Sequence, residues 1–222
     1  MSKPRTASAA NGSLFLSPEP PFPPIGGGSL RSAALLTYLS RRGPVDRILF
    51  REPPFGDPSA AIPPEIEGEN CVLVLPFQRK DRLSRLHRNA WRALRAKPAL
   101  MDRFAGFTPG MKRFLAGRRY RVGVIEHFWC APYLNVLKEH CEEVWLNLHN
   151  IESVLQERSR EVSSVVDAIG YRRFASIYRR EERVWFPRFD RVLATSENDA
   201  ALVRQIAPQA RTIILPNTIP EL

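Results

Sequence analysis

The chain has 222 residues and carries 33 lysines and arginines against 23 acidic residues, a formal net charge of +10 that calls for an anionic partner such as nucleic acid, a lipid surface or a phosphorylated substrate. Three cysteines with no C-x-x-C pair exclude a disulfide scaffold, and no uncharged apolar run nears the roughly 18 residues of a membrane span. Residues 1–12 hold no apolar leader, so the expected compartment is cytoplasmic, with peripheral contact to the inner membrane face left open.

Residues 1–12 are small and polar and read as a disordered tail. Leu14–Leu16 reads as a strand, followed by a proline-rich loop, Gly26, Gly27 and Gly28, and a helix. The expected buried face of that helix is Leu30, Ala33, Ala34, Tyr38 and Leu39, with Ser29 as its N-cap. Glycines lack a Cβ, and a helix N-terminus presents free N–H groups and a positive dipole end, which suits a phosphate or a sugar hydroxyl. A flexible loop is the other reading, because the spacing is neither G-x-G-x-x-G nor a P-loop.

Val45–Phe50 is a second strand, residues 51–70 with five prolines a loop, and Cys71–Leu75 an apolar run typical of a strand buried on both faces. Residues 78–120 form the basic section. Leu83, Leu86, Ala90, Ala93 and Leu94 make one helical stripe, and Arg82, Arg85, Arg88, Arg92 and Arg95 make a second beside it. This composition fits a helix lying on anionic lipid, with the five arginines at the membrane surface. It equally fits a surface helix whose apolar stripe packs on the sheet, the commoner arrangement and the one expected here. Pro98 breaks the pattern before a further apolar series, Leu100, Met101, Phe104, Phe107, Met111 and Phe114.

Arg121–Glu126 returns to strand, Pro132–His140 to helix, and Glu143–Leu148 to strand. Cys130 and Cys141 are expected on one helix about 16 Å apart, too far to bridge. His149 follows the strand, with Asn150 as a helix cap and Glu152 in the first helical turn. Residues 171–186 form a long helix with Phe174, Ile177, Tyr178, Val184 and Trp185 inward, stopped by Pro187. Its Glu181 and Glu182 are read as a salt-bridged face among Arg179, Arg180 and Arg183. Arg191–Thr195 is a strand, Ser196 to Asp199 a capping box opening a helix, and Arg211–Leu215 the last strand. Strands alternating with helices predict an α/β protein: one Rossmann-like, doubly wound parallel sheet over residues 13–217, helices on both faces, with its site in the loops after strand ends.

PFPPIGGGSLR after the first strand, VIEHFWCAPYL after a middle one, LNLHNIES after the next, and RVLATSENDAALV before a strand ending in LPN resemble, in order and spacing, the family-four glycosyltransferases of the GT-B fold. Such an enzyme has two Rossmann-like halves, the first binding acceptor and the second a nucleotide-sugar donor. The resemblance implies an acceptor-binding half of a retaining transferase, with a nucleoside-diphosphate sugar as donor substrate, a sugar or lipid-linked acceptor, and no cofactor or metal. It places His149 against the transferred sugar and Gly26 to Gly28 toward acceptor and donor phosphate. Glu126 and His127 would bind acceptor hydroxyls, with Asn150 and Ser196 also on the cleft. A metal held by Glu126, His127 and His149 is disfavoured, since neighbouring strand residues point opposite ways.

The LPN element is followed by Thr218 and Ile219 where the family usually has Gly-Val-Asp, and no two glutamates are separated by seven residues as in the donor half. Residues 218–222 are therefore read as the start of an interdomain linker and the donor half as absent, with a separate donor-domain polypeptide as a partner. The alternative function is a non-catalytic module binding an anionic membrane or a partner protein. Nucleic acid is not expected, since neither an RNP pattern nor finger spacing is present.

Overall fold

The computed structural model describes residues 12–79, 81–162 and 165–217, so residues 1–11 of the expected tail and the expected linker at 218–222 lie outside the described residues. Seven strands form one parallel sheet: β1 (Ser13–Ser17), β2 (Val45–Arg51), β3 (Asn70–Val74), β4 (Tyr120–Glu126), β5 (Cys141–Asn147), β6 (Arg191–Ala194) and β7 (Thr212–Ile214). Their order is β3-β2-β1-β4-β5-β6-β7. Within β1, Leu14 and Leu16 enter one core and Phe15 the other, so a continuous apolar run is what a strand with two covered faces requires. Winding proceeds outward from β1 in one direction and from β4 in the other. The connections after β1 and β4 thus leave in opposite senses, and a crevice opens between them at the carboxyl ends of the strands.

Helix α1 (Gly27–Ser40) covers one face. It turns Ala33 and Leu39 inward as expected, together with Arg31, Ser32, Leu35 and Leu36, and leaves Ala34 and Tyr38 exposed. Beyond β4 this face has no helix among the described residues. Tyr38 there lines a cavity of 530 Å³ with Trp145, Leu193, Ile213 and Leu215. The N-cap position is Gly26, at φ 94°, a backbone that favours glycine. The hydroxyl of Ser29 does not cap the helix but donates back to the carbonyls of Ile25 and Gly26.

The opposite face carries α2 (Arg82–Leu94), α3 (Ala99–Arg103), α4 (Thr108–Leu115), α5 (Leu134–Lys138), α6 (Glu152–Glu161), α7 (Val165–Trp185) and α8 (Glu197–Ile206). Met101, Phe104, Met111 and Leu115 from α3, α4 and the turn between them bury against the sheet. With that surface taken, the α2 stripe has no apolar partner among the described residues, and the helix is inverted relative to expectation. Leu83, Leu86 and Leu94 are 79%, 66% and 80% exposed, while Arg92 is buried and its Nε donates to Asp102 at 2.8 Å.

Other expectations are corrected locally. β3 pairs only with β2, so it is an edge strand with Val74 exposed rather than a strand buried on both sides. Cys130 lies in the short 3₁₀ turn Phe128–Tyr133 and Cys141 opens β5, so no helix carries both, and all three cysteines are free. On α7, Val184 faces solvent and Glu182 is fully buried. The Glu182 carboxyl accepts from the backbone N–H and hydroxyl of Ser153, serving the first turn of α6, and Asn150 makes no cap.

Candidate active site

Four loops meet at the carboxyl edge around the β1–β4 crevice. β4 ends in Glu126, which is fully buried, and its carboxyl gathers three donors. Asn147 at the end of β5 donates its amide at 2.9 and 3.1 Å, Ser32 of α1 its hydroxyl at 2.8 Å, and His149 lies at 2.6 Å through Nε2. Because Oε2 already accepts from Ser32 and Asn147, the network assigns the imidazole proton to Nε2, donating to Glu126, and leaves Nδ1 with a free lone pair in the neutral ring. A Cβ on Gly28 would stand 3.5 Å from that Nδ1. Gly28 and His149, 121 residues apart in sequence, are therefore neighbours at the crevice, with the imidazole largely buried and the Glu19 carboxylate beside the same glycine. Gly26 and Gly27 are exposed at the crevice rim.

A Gly28→Val substitution is expected to leave the fold intact, since the backbone there is not in the left-handed region. The branched side chain would cover Nδ1 and should weaken roughly tenfold, by titration, the binding of any ligand that reaches the ring from this side. Unchanged binding would show that ligands do not approach this side of the ring.

His127 does not continue the strand. Its φ of 61° turns the side chain back over the site, so the opposite-pointing geometry of neighbouring strand residues does not apply. Its ring stacks on His149, centroids 3.9 Å apart, and on Trp129 at 4.3 Å. His127 Nε2 faces Glu19 Oε2 at 3.4 Å. Burial holds the His127 pKa below its ordinary value, and the contact with His127 lowers that of Glu19, so a neutral ring donates to a carboxylate. Among the described residues no cluster of three histidine, cysteine or acidic side chains is arranged to hold a metal ion.

Arg31, named by no sequence argument, is the fourth component. It is buried, its Nε donates to Asn147 Oδ1 at 2.9 Å, and its Nη1 donates to the carbonyl of Leu215 and to Asn217 past β7. Nη2 has no partner among the described residues. Behind the rings, Trp129 Nε1 donates to Glu152 at 2.8 Å, and burial beside Glu182 pushes the Glu152 carboxyl up to about 7.

Of the residues expected at the site, Gly28, Glu126, His127 and His149 converge. Glu126 has no free face for an acceptor, since its oxygens are occupied and buried, and it holds His149 instead. Asn150 is exposed on the following loop. Ser196 is the N-cap of α8, bonded to Asp199 as the capping box predicts. Arg82, Arg85, Arg88 and Arg92 of α2, and Arg95 at its C-cap, are not among the residues that meet here. Arg31, Ser32 and Asn147 carry no periodic or motif signal of their own, although GGGSLR ends on Arg31 just before Ser32 and LNLHN contains Asn147.

The fold is that of one Rossmann-like half of a GT-B glycosyltransferase. One similar structure is a Medicago truncatula UGT complexed with UDP-glucose, at 14% identity and a TM-score of 0.55 over 93% of this chain. The chain spans about half of that protein, 51% of its length. A sucrose-phosphate synthase from Thermosynechococcus elongatus is also similar, at 14% identity and a TM-score of 0.50, covering 92% of this chain and 88% of the other. No family model matches the sequence, and no curated protein matches it.

Proposed function

We propose that this chain is the acceptor-side half of a glycosyltransferase similar to family four, moving a sugar from a nucleoside-diphosphate sugar to a glycan or lipid-linked acceptor. The observation that carries this reading is the buried Glu126 carboxyl fixing His149 Nε2 so that Nδ1 looks past Gly28 into the crevice. An imidazole held this way accepts a hydrogen bond from a sugar hydroxyl in one orientation, which is what positioning an acceptor for transfer demands. The free N–H groups at the start of α1 border the same hollow and suit a hydroxyl or a phosphate oxygen.

In the family-four resemblance, anomeric configuration is retained, and the cations stabilising the leaving diphosphate belong to the donor half. A second polypeptide or lobe bearing that half is accordingly part of the proposal.

Titration of the chain with simple glycosides and, separately, with UDP distinguishes the halves. Glycosides should shift the His149 imidazole signals and UDP should not. Saturable binding of UDP alone would make this a donor half, and binding of neither would make it a non-catalytic module.

A further inference from the structure

We propose that the outward face of α2 docks on an anionic bilayer. The inversion of this helix supports the idea independently of any transfer reaction. Leu83, Leu86, Trp91 and Leu94 are 79%, 66%, 51% and 80% exposed along one side of the helix, and Phe77 just before it is 73% exposed. Four large apolar groups on one solvated stripe are more than the scattered single residues of an ordinary surface. The core offers them nothing, because the sheet beneath is already covered by α3 and α4.

Charge identifies the occupant. At 100° per residue, Arg82 and Arg95 flank the apolar stripe on its two sides, and Arg95 lies over the Trp91 ring at 3.9 Å. Along α2 itself there is no acidic residue, and Asp81 is spent as the N-cap, accepting from Ser84. Arg85, Arg88, Arg92 and Arg103 line, with Glu52 and Phe77, a groove of 230 Å³ behind the stripe. A helix lying in the headgroup layer needs this arrangement: apolar side chains reaching the acyl boundary, flanking cations at phosphate depth, and further cations just above. Arg92 is already paired with Asp102 and Arg103 with Glu52, but an apolar groove on a partner protein would satisfy the leucines and still leave Arg82, Arg85, Arg88 and Arg95 without anions. Phe77 and Glu52 follow β3 and β2, so α2 borders the carboxyl edge of the sheet, and docking brings that edge to the membrane.

The test is co-sedimentation of the full chain with vesicles of phosphatidylcholine alone and of phosphatidylcholine mixed with phosphatidylglycerol. Binding is expected on the mixed vesicles only, weakened by salt, with a blue shift of tryptophan emission that Trp91→Phe abolishes. The triple substitution Leu83→Ser, Leu86→Ser and Leu94→Ser removes exposed groups only and should bind roughly tenfold more weakly with an unchanged melting curve. Arg82→Gln with Arg95→Gln should weaken the mixed-vesicle binding as well. Equal recovery on both vesicles, or none on either, overturns the proposal, and so does binding that the triple substitution leaves intact. Self-association lost in the triple variant, without vesicle binding, would assign the face to a second copy of the chain.

Discussion

His149→Ala is expected to lower transfer by roughly a hundredfold or more in a polypeptide joining this chain to a donor-binding half, while the chain stays folded. Alanine empties a place in front of Glu126 without disturbing the core packed behind it. Glu126→Gln reaches the same loss by another route. Its amide oxygen still accepts from Asn147, but its NH₂ now donates to His149 Nε2, and the imidazole proton moves to Nδ1. The ring then offers a donor where the hollow had an acceptor. This exchange is visible without any donor half, in the nitrogen shifts of the imidazole. Full activity in His149→Ala, or an unchanged tautomer in Glu126→Gln, would end the assignment.

Stability should fall as pH rises from about 4.5 to about 7, and Glu152→Gln should remove much of that slope. Burial, chiefly, holds the Glu152 carboxyl near 7 in the folded chain, so within this window the folded state keeps a proton that the unfolded chain has released. Stability linked to that proton is fully present below the unfolded value and is lost as pH passes the folded one. Near pH 8 the deficit is about 3 kcal/mol for this group, and Glu182, whose pKa burial also raises, adds in the same direction. A glutamine still accepts from Trp129 and never ionises. Denaturant unfolding at a series of pH values should show the parent losing stability toward pH 8 and the variant much less so. Parallel curves would mean that the carboxyl is not held protonated by its burial.

The fold was legible because its signals are periodic and local. The runs LFL, VDRILF, RVGVIE, EVWLNL and RVLAT are strands at nearly the expected bounds, and Ser196 caps α8 as read. What was not legible depends on competition for surface. Whether the α2 stripe faces in or out is decided by Met101, Phe104 and Met111 already occupying the sheet, and no pattern within residues 82–94 records this. Glu182 looks like any charged helix residue until α6 brings the Ser153 N–H to it. At the site, His149 and Gly28 followed from strand ends and glycine chemistry. The inward turn of His127 rests on a single φ of 61°, which no spacing rule foretells.

Arg31 fastens the segment leaving β7 to the amide that steadies Glu126, through Leu215 and Asn217 on one side and Asn147 on the other. A pull on that exit segment strains one guanidinium, and a guanidinium dragged from Asn147 frees the amide to rotate off Glu126. The direction in which the backbone departs from the sheet is thereby geared to the tilt of an imidazole four hydrogen bonds away, like a rudder linked to its tiller.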